Sequence, residues 1–194
     1  SVIARKGEIT HASSSGYSSS GDPTTTLATL PDTIFRLFSM SKPVTAAAVM
    51  LLLDEGLIQL DDPVSNYLPE YTNMKVLKKG QLVTAASPIT IRHLLTHTSG
   101  ISYLLLQTPV TDHYVKEDVF AISNRLSETT EAHVKRLAKL PLVAHPGAEW
   151  SYGESFGILG RLIEVVSGQS FGQFLQTRLF VPLKMTDTGF FVPE

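Results

Sequence analysis

Apolar residues run almost unbroken through residues 44–53, which predicts a helix buried on most sides rather than an amphipathic surface helix. Glu55-Gly56 closes it, Gly56 serving as the left-handed cap. Residues 89–96 predict a second helix, ended by Thr98-Ser99-Gly100. Residues 131–140 form a charged amphipathic helix with Glu131 one turn from Lys135. Two more helices are expected at 155–166 and 171–179. Ser170, with Gln173 three residues on, reads as a capping box for the last, whose apolar stripe is Phe171, Phe174, Leu175 and Leu179. Ahead of the helices, β-prone runs at 2–4 and 9–12 flank Lys6-Gly7-Glu8 and read as a hairpin. Residues 13–26, rich in Ser, Gly and Thr, read as a loop. A lone hairpin is not stable in water. Its strands need partners, and no convincing ones follow, so the sheet is expected to be incomplete.

The composition, 43% hydrophobic and 18% charged over 194 residues, is that of an ordinary soluble globular chain. Sixteen basic against eighteen acidic residues leave a net charge of -2, which argues against an electrostatic nucleic-acid surface. The only basic cluster, Lys75 with Lys78 and Lys79, is expected to be a solvated loop. The absence of cysteine removes disulfides, thiolate catalysis and Cys-type zinc sites, without fixing a compartment. The densest apolar stretch is far shorter than the roughly 20 residues that span a bilayer, so a soluble protein with no membrane span is expected. The N-terminus shows no signal-peptide h-region, although a leader removed earlier would leave no trace.

Chemistry concentrates at Phe35-Arg36-Leu37-Phe38-Ser39-Met40-Ser41-Lys42-Pro43. Ser39 and Lys42, three apart at a helix start, fall on one face. A serine hydroxyl is a poor nucleophile until its proton is removed, and a lysine removes it only as the free amine. Burial against the apolar helix and the positive end of its dipole both favour that amine. The Ser39 amide at the helix start is a candidate oxyanion donor, and Pro43 is tolerated because it falls in the first turn. Taken alone, Ser-x-x-Lys recurs by chance, and the plainer reading is a capping serine with an exposed lysine. A second piece is Trp150-Ser151-Tyr152-Gly153-Glu154, after the turn Pro146-Gly147. Tyr152 there can share a proton with Lys42 and pass it to a leaving group; the plainer reading is an interfacial tyrosine beside a tryptophan.

Residues 35–43, the run Ile-Arg-His-Leu-Leu-Thr-His-Thr-Ser-Gly-Ile at 91–101, and the segments 146–152 and 159–190 together resemble successive blocks of the serine β-lactamase-like superfamily. That group includes class C β-lactamases, D-Ala-D-Ala carboxypeptidases, D-aminopeptidases and β-lactamase-like carboxylesterases. The resemblance implies an α+β, β-lactamase/transpeptidase-like fold. Its antiparallel sheet, represented here by the N-terminal hairpin, packs with a mostly helical domain. Residues 1–38 would be the N-terminal strands and residues 39–194 the mostly helical region. It also implies acyl-enzyme chemistry with Ser39 as nucleophile, Lys42 as base and Tyr152 as catalytic tyrosine, with no metal or organic cofactor. The expected substrates are small esters, amides or β-lactams. In two respects the chain departs from the family pattern. Glu154 stands where the family usually has a substrate-binding Asn; a carboxylate there repels acidic substrates and favours Lys42 as the ammonium. Family members are also about twice as long and carry a third motif in their second half. The chain stops at Val192-Pro193-Glu194 before that motif, so a missing half or a second polypeptide is expected to complete the sheet, and the fragment alone to be inactive.

Three functional readings stay open: a carboxylesterase, a β-lactamase or D-Ala-D-Ala carboxypeptidase, and an inactive homologue that only binds. Other motifs are set aside. Gly153-Glu154-Ser155-Phe156-Gly157 matches a nucleophile elbow, but no histidine follows His145, and Ser155 reads as a helix N-cap. His93 and His97 have a zinc-type spacing but Leu94 stands where a metalloprotease carries its glutamate, so they read as packing and capping residues.

Overall fold

The computed structural model describes residues 1–18, 27–103, 106–117, 119 and 128–191, so part of the expected loop at 13–26, and residues 192–194, lie outside the described residues. The chain divides into two compact units, Ser1–Phe38 and Ser39–Glu194.

In the first unit β1 (Val2–Arg5) pairs antiparallel with β2 (Glu8–Ala12). Lys6 and Gly7 turn the chain with φ of 53° and 83°, the primed two-residue geometry whose twist matches its strands. Within the expected loop, Tyr17–Ser18 forms a short β3 that pairs with β4 (Leu27–Ala28). Every residue of β1 and β2 is exposed.

The second unit is built on α1 (Ser41–Asp54). Its buried positions, Thr45, Ala48, Val49 and Leu52, form one stripe, and the other apolar positions are mostly half-buried, so the helix is less enclosed than its composition suggests. The chain then makes two 3-10 turns, Val64–Asn66 and Pro69–Tyr71. Next come β5 (Lys75–Lys78) and β6 (Gln81–Thr84), an antiparallel pair that the sequence reading missed. The lysines taken for a solvated loop are strand and turn: Lys79 and Gly80 turn with φ of 49° and 77°, and Val76 is buried between exposed Lys75 and half-buried Leu77. Leu142 runs parallel beside β5, its N–H donating to Lys75 O (2.7 Å) and its carbonyl accepting from Leu77 N–H (3.0 Å).

The remaining helices are α2 (Ile91–Leu95), α3 (Thr111–Lys116), α4 (Thr130–Leu137), α5 (Ser155–Ser167) and α6 (Phe171–Leu175). The second helix is shorter than expected because Thr90 caps it, leaving Ile89 outside, and the chain turns at Thr96. The last expected helix is split, α6 passing into a π-helical turn at Gln176–Phe180. Ser170 caps α6 as expected, accepting from Gln173 N–H at 3.3 Å. In α4 the expected Glu131–Lys135 ion pair is present. At the centre lies α5, packed against α1, α2, α4 and α6. Its buried Ile158, Leu159, Leu162 and Ile163 join Leu52, Leu94, Leu137 and Phe174 in one apolar core. Among the described residues no helix is long and apolar enough to cross a membrane.

Candidate active site

Ser39 sits in a 3-10 turn, Phe38–Met40, that runs directly into α1, and Lys42 lies in the first turn of that helix. The three-residue spacing therefore brings them together, Lys42 Nζ donating to Ser39 Oγ at 3.1 Å. Phe38, immediately before the serine, has φ of 45°, a left-handed conformation that a bulky side chain adopts only under strain. Ser39 is exposed, while Lys42 is half-buried rather than enclosed by the apolar helix as the sequence suggested.

Tyr152 reaches the pair from 113 residues away, its hydroxyl 2.7 Å from Ser39 Oγ. Lys42 Nζ also lies 4.8 Å from the centre of the Tyr152 ring. The phenol is carried by a segment hydrogen-bonded rung by rung to the residues after α2. Val143 N–H donates to Gly100 O, Gly147 N–H to Thr98 O, Ser151 N–H to His97 O and Glu154 N–H to Ser102 O, at 2.9, 2.8, 2.7 and 3.3 Å. At Gly153 the two segments touch so closely that a Cβ would stand 2.0 Å from Ile101 O. A buried hydrogen bond between Ser99 Oγ and Ser155 Oγ (3.1 Å) fastens the start of α5 to the same segment. Ser102 N–H in turn donates to the buried Tyr114 hydroxyl at 3.0 Å, and burial raises that phenol's pKa well above its ordinary value.

Electrostatics distinguish Tyr152 from an ordinary phenol. Its pKa is held below 10.0, first by hydrogen bonding from Lys42, then from Ser39; partial burial and, last, the Glu154 carboxylate push the other way. Glu154 stands at the N-cap of α5 with its side chain half-buried, where a carboxylate suits the helix dipole. The structure thus brings Ser39, Lys42 and Tyr152 into contact and places Glu154 two residues beyond the phenol.

Ser155 differs from its expected role, whereas His93 and His97 cap and pack as expected. Ser155 is not a helix cap: Glu154 occupies the cap position, and Ser155 is fully buried against Ser99. His93 does cap, but reciprocally, its N–H donating to Thr90 Oγ1 and its Nδ1 accepting from Thr90 N–H, each at 3.2 Å. His97 was read as packing, with no link to Tyr152 in view. It packs on that residue itself, ring centres 4.8 Å apart, and only the resemblance of its block hinted at importance.

Residues 2–194 match the family model described as Beta-lactamase. Among curated proteins the chain is 34% identical to Esterase EstB of Burkholderia gladioli, covering 100% of this chain and 47% of that protein. It is also 34% identical to Acyltransferase mokF of Monascus pilosus, over 82% of this chain and 38% of the relative. Among solved structures it resembles EstCE1, a hydrolase with promiscuous acyltransferase activity, at 35% identity and a TM-score of 0.79, covering 94% of this chain and 45% of that one. The chain therefore spans less than half the length of these relatives.

Proposed function

This chain belongs to the β-lactamase family, and on that premise we propose that it carries the nucleophile of a serine hydrolase acting on carboxylic esters through an acyl-enzyme. In this reading Ser39 attacks the carbonyl carbon and its proton passes to Tyr152. The Ser39 amide steadies the oxyanion. Collapse of the tetrahedral intermediate expels the alcohol, which takes its proton from the phenol. Water then attacks the acyl-serine and gives a proton to the Tyr152 phenolate; collapse breaks the acyl–Oγ bond, Ser39 takes that proton back, and the acid is released. Lys42 donates to Ser39 throughout and holds the phenolate by its charge. Residues 1–38 form the N-terminal strands, and residues 39–194 the helical region that carries the motifs.

The observation that carries the reading is Ser39 Oγ within hydrogen-bond reach of both Lys42 Nζ (3.1 Å) and Tyr152 hydroxyl (2.7 Å). It is tested by intact-mass spectrometry of the native protein with and without a fluorophosphonate, followed by peptide mapping. The expected result is a single adduct on Ser39 that vanishes in Ser39→Ala. No adduct, or one elsewhere, rejects the reading in favour of a homologue that only binds. The same spectrum shows whether a second polypeptide accompanies the chain.

A second reading, acyl transfer to an alcohol instead of water, is favoured by the similarity to mokF and EstCE1. Added alcohol acceptors would then yield new esters at the expense of free acid. The third reading, penicillin-type acylation, turns on Glu154. If this residue sets the substrate class, Glu154→Asn raises β-lactam acylation at Ser39 and lowers ester turnover; no change in either sinks that idea.

A further inference from the structure

His97 lies outside the proton chain of Ser39, Lys42 and Tyr152, yet it meets the phenol at two levels. Its backbone carbonyl accepts from Ser151 N–H at 2.7 Å, which anchors the residue before Tyr152. Its ring packs on the Tyr152 ring at 4.8 Å and a 32° tilt, and is itself bracketed by Phe156 at 5.3 Å and Trp150 at 6.2 Å. The backbone there is left-handed, with φ of 55°, a conformation that His and Asn adopt more readily than other residues. Nδ1 is buried and has no hydrogen-bond partner among the described residues, so a proton on that nitrogen would be unsatisfied. Burial, and then the Lys42 charge, keep the imidazole neutral by lowering its pKa.

These observations fit one task. The carbonyl fixes Ser151 but leaves the Tyr152 side chain free to rotate about its own bonds, and a modest rotation carries a phenol oxygen out of hydrogen-bond range. A flat, uncharged ring against the phenol removes that freedom; Tyr103 closes a further side, edge-on at 5.7 Å. We propose that His97 is a positioning residue that holds the Tyr152 phenol in register with Ser39 through its imidazole face. This rests on the reading of Tyr152 as the proton acceptor, but its test does not depend on turnover.

Two variants separate the ring from the backbone. His97→Asn keeps a residue suited to left-handed backbone and keeps the carbonyl, but removes the ring; His97→Phe restores an aromatic face. Each is compared with the wild-type chain by circular dichroism, by NMR titration of carbon-13-labelled tyrosine with Tyr152→Phe for assignment, and by the rate of fluorophosphonate labelling at Ser39. In folded His97→Asn the Tyr152 resonance is expected to titrate at higher pH, nearer free tyrosine. Labelling is expected to fall about 10- to 100-fold, as for a catalytic group displaced by about an ångström. His97→Phe recovers most of both. A folded His97→Asn with an unmoved Tyr152 titration overturns the proposal, as does a folded His97→Phe that behaves like Asn, or a wild-type Tyr152 that titrates like free tyrosine. Should the phenyl ring not tolerate the left-handed backbone, the Asn variant decides alone. If the wild type takes up no probe, the acyl-enzyme reading fails while the titration still decides the role of His97.

Discussion

Lys42 Nζ at 3.1 Å and the Tyr152 phenol oxygen at 2.7 Å both lie within hydrogen-bond reach of Ser39 Oγ, so either could take part in moving its proton. The sequence had Lys42 as the base; in the proposed reading Tyr152 is the acceptor and Lys42 tunes it. The sign follows from the causes of the Tyr152 shift. Deprotonation activates the site, so labelling of Ser39 should rise with pH and reach half its maximum below pH 10.0. Lys42→Met removes the largest cause of the lowering and moves that midpoint up, whereas Glu154→Asn removes a charge that opposes it and moves the midpoint down. A pH–rate profile of probe labelling for the three proteins checks both directions; a midpoint unmoved by Lys42→Met rejects the assignment. At this scale Ser39 and Lys42 were legible because three-residue spacing near a helix start forces contact. His97 was not. Its four-residue spacing from His93 implies a shared helix face, but α2 ends at Leu95 and the left-handed φ of 55° turns His97 away from that face and towards Tyr152.

Elements position the phenol, and two of their junctions can be probed. Because α2 is only five residues long, its cap matters more than in a long helix. Burial lowers the His93 pKa from 6.5, so the folded chain binds fewer protons than the unfolded one. The contribution of the neutral, hydrogen-bond-accepting His93 is complete above about pH 6.5 and is lost as pH falls through the lowered folded value. Thermal melts between pH 7.5 and 5 should show stability falling on acidification, with a smaller slope in His93→Asn and a cap loss of about 1 kcal/mol at neutral pH. The second junction is Gly153. An alanine Cβ 2.0 Å from Ile101 O must push the tyrosine segment off its rungs, so Gly153→Ala should cost about 3 kcal/mol or more in urea denaturation. It should also slow Ser39 labelling. Helices α1, α2, α4, α5 and α6 were legible from the apolar pattern, but α3 was not expected. The β5–β6 pair was not legible either, because Lys75, Lys78 and Lys79 read as a charged solvated loop, whereas Lys75 and Lys78 occupy exposed strand positions beside buried Val76.

Burial is uneven among the described residues. Every residue of β1 and β2 is exposed, while α5 contributes Ile158, Leu159, Leu162 and Ile163 to the core with none of them accessible. A hairpin with no buried face is marginal in water. Hydrogen exchange should therefore be orders of magnitude faster for β1–β2 amides than for those of α5, and equal protection in both would contradict this picture. Leu162→Ala, at the centre of the core, should cost about 2–5 kcal/mol in the same denaturation experiment. What the sequence determined by itself was local: most helices from the spacing of apolar side chains, the caps at Gly56 and Ser170, and the Ser39–Lys42 pair from one turn of helix. Block order then pointed to the family. Only the tertiary structure could decide that Tyr152 closes on Ser39 across 113 residues, that residues 97–102 are the rail holding it, and that the His97 ring faces the phenol. Contacts between distant segments depend on which backbone groups are left unpaired once the helices form, and on the few close approaches, such as Gly153 against Ile101, that side-chain volume permits.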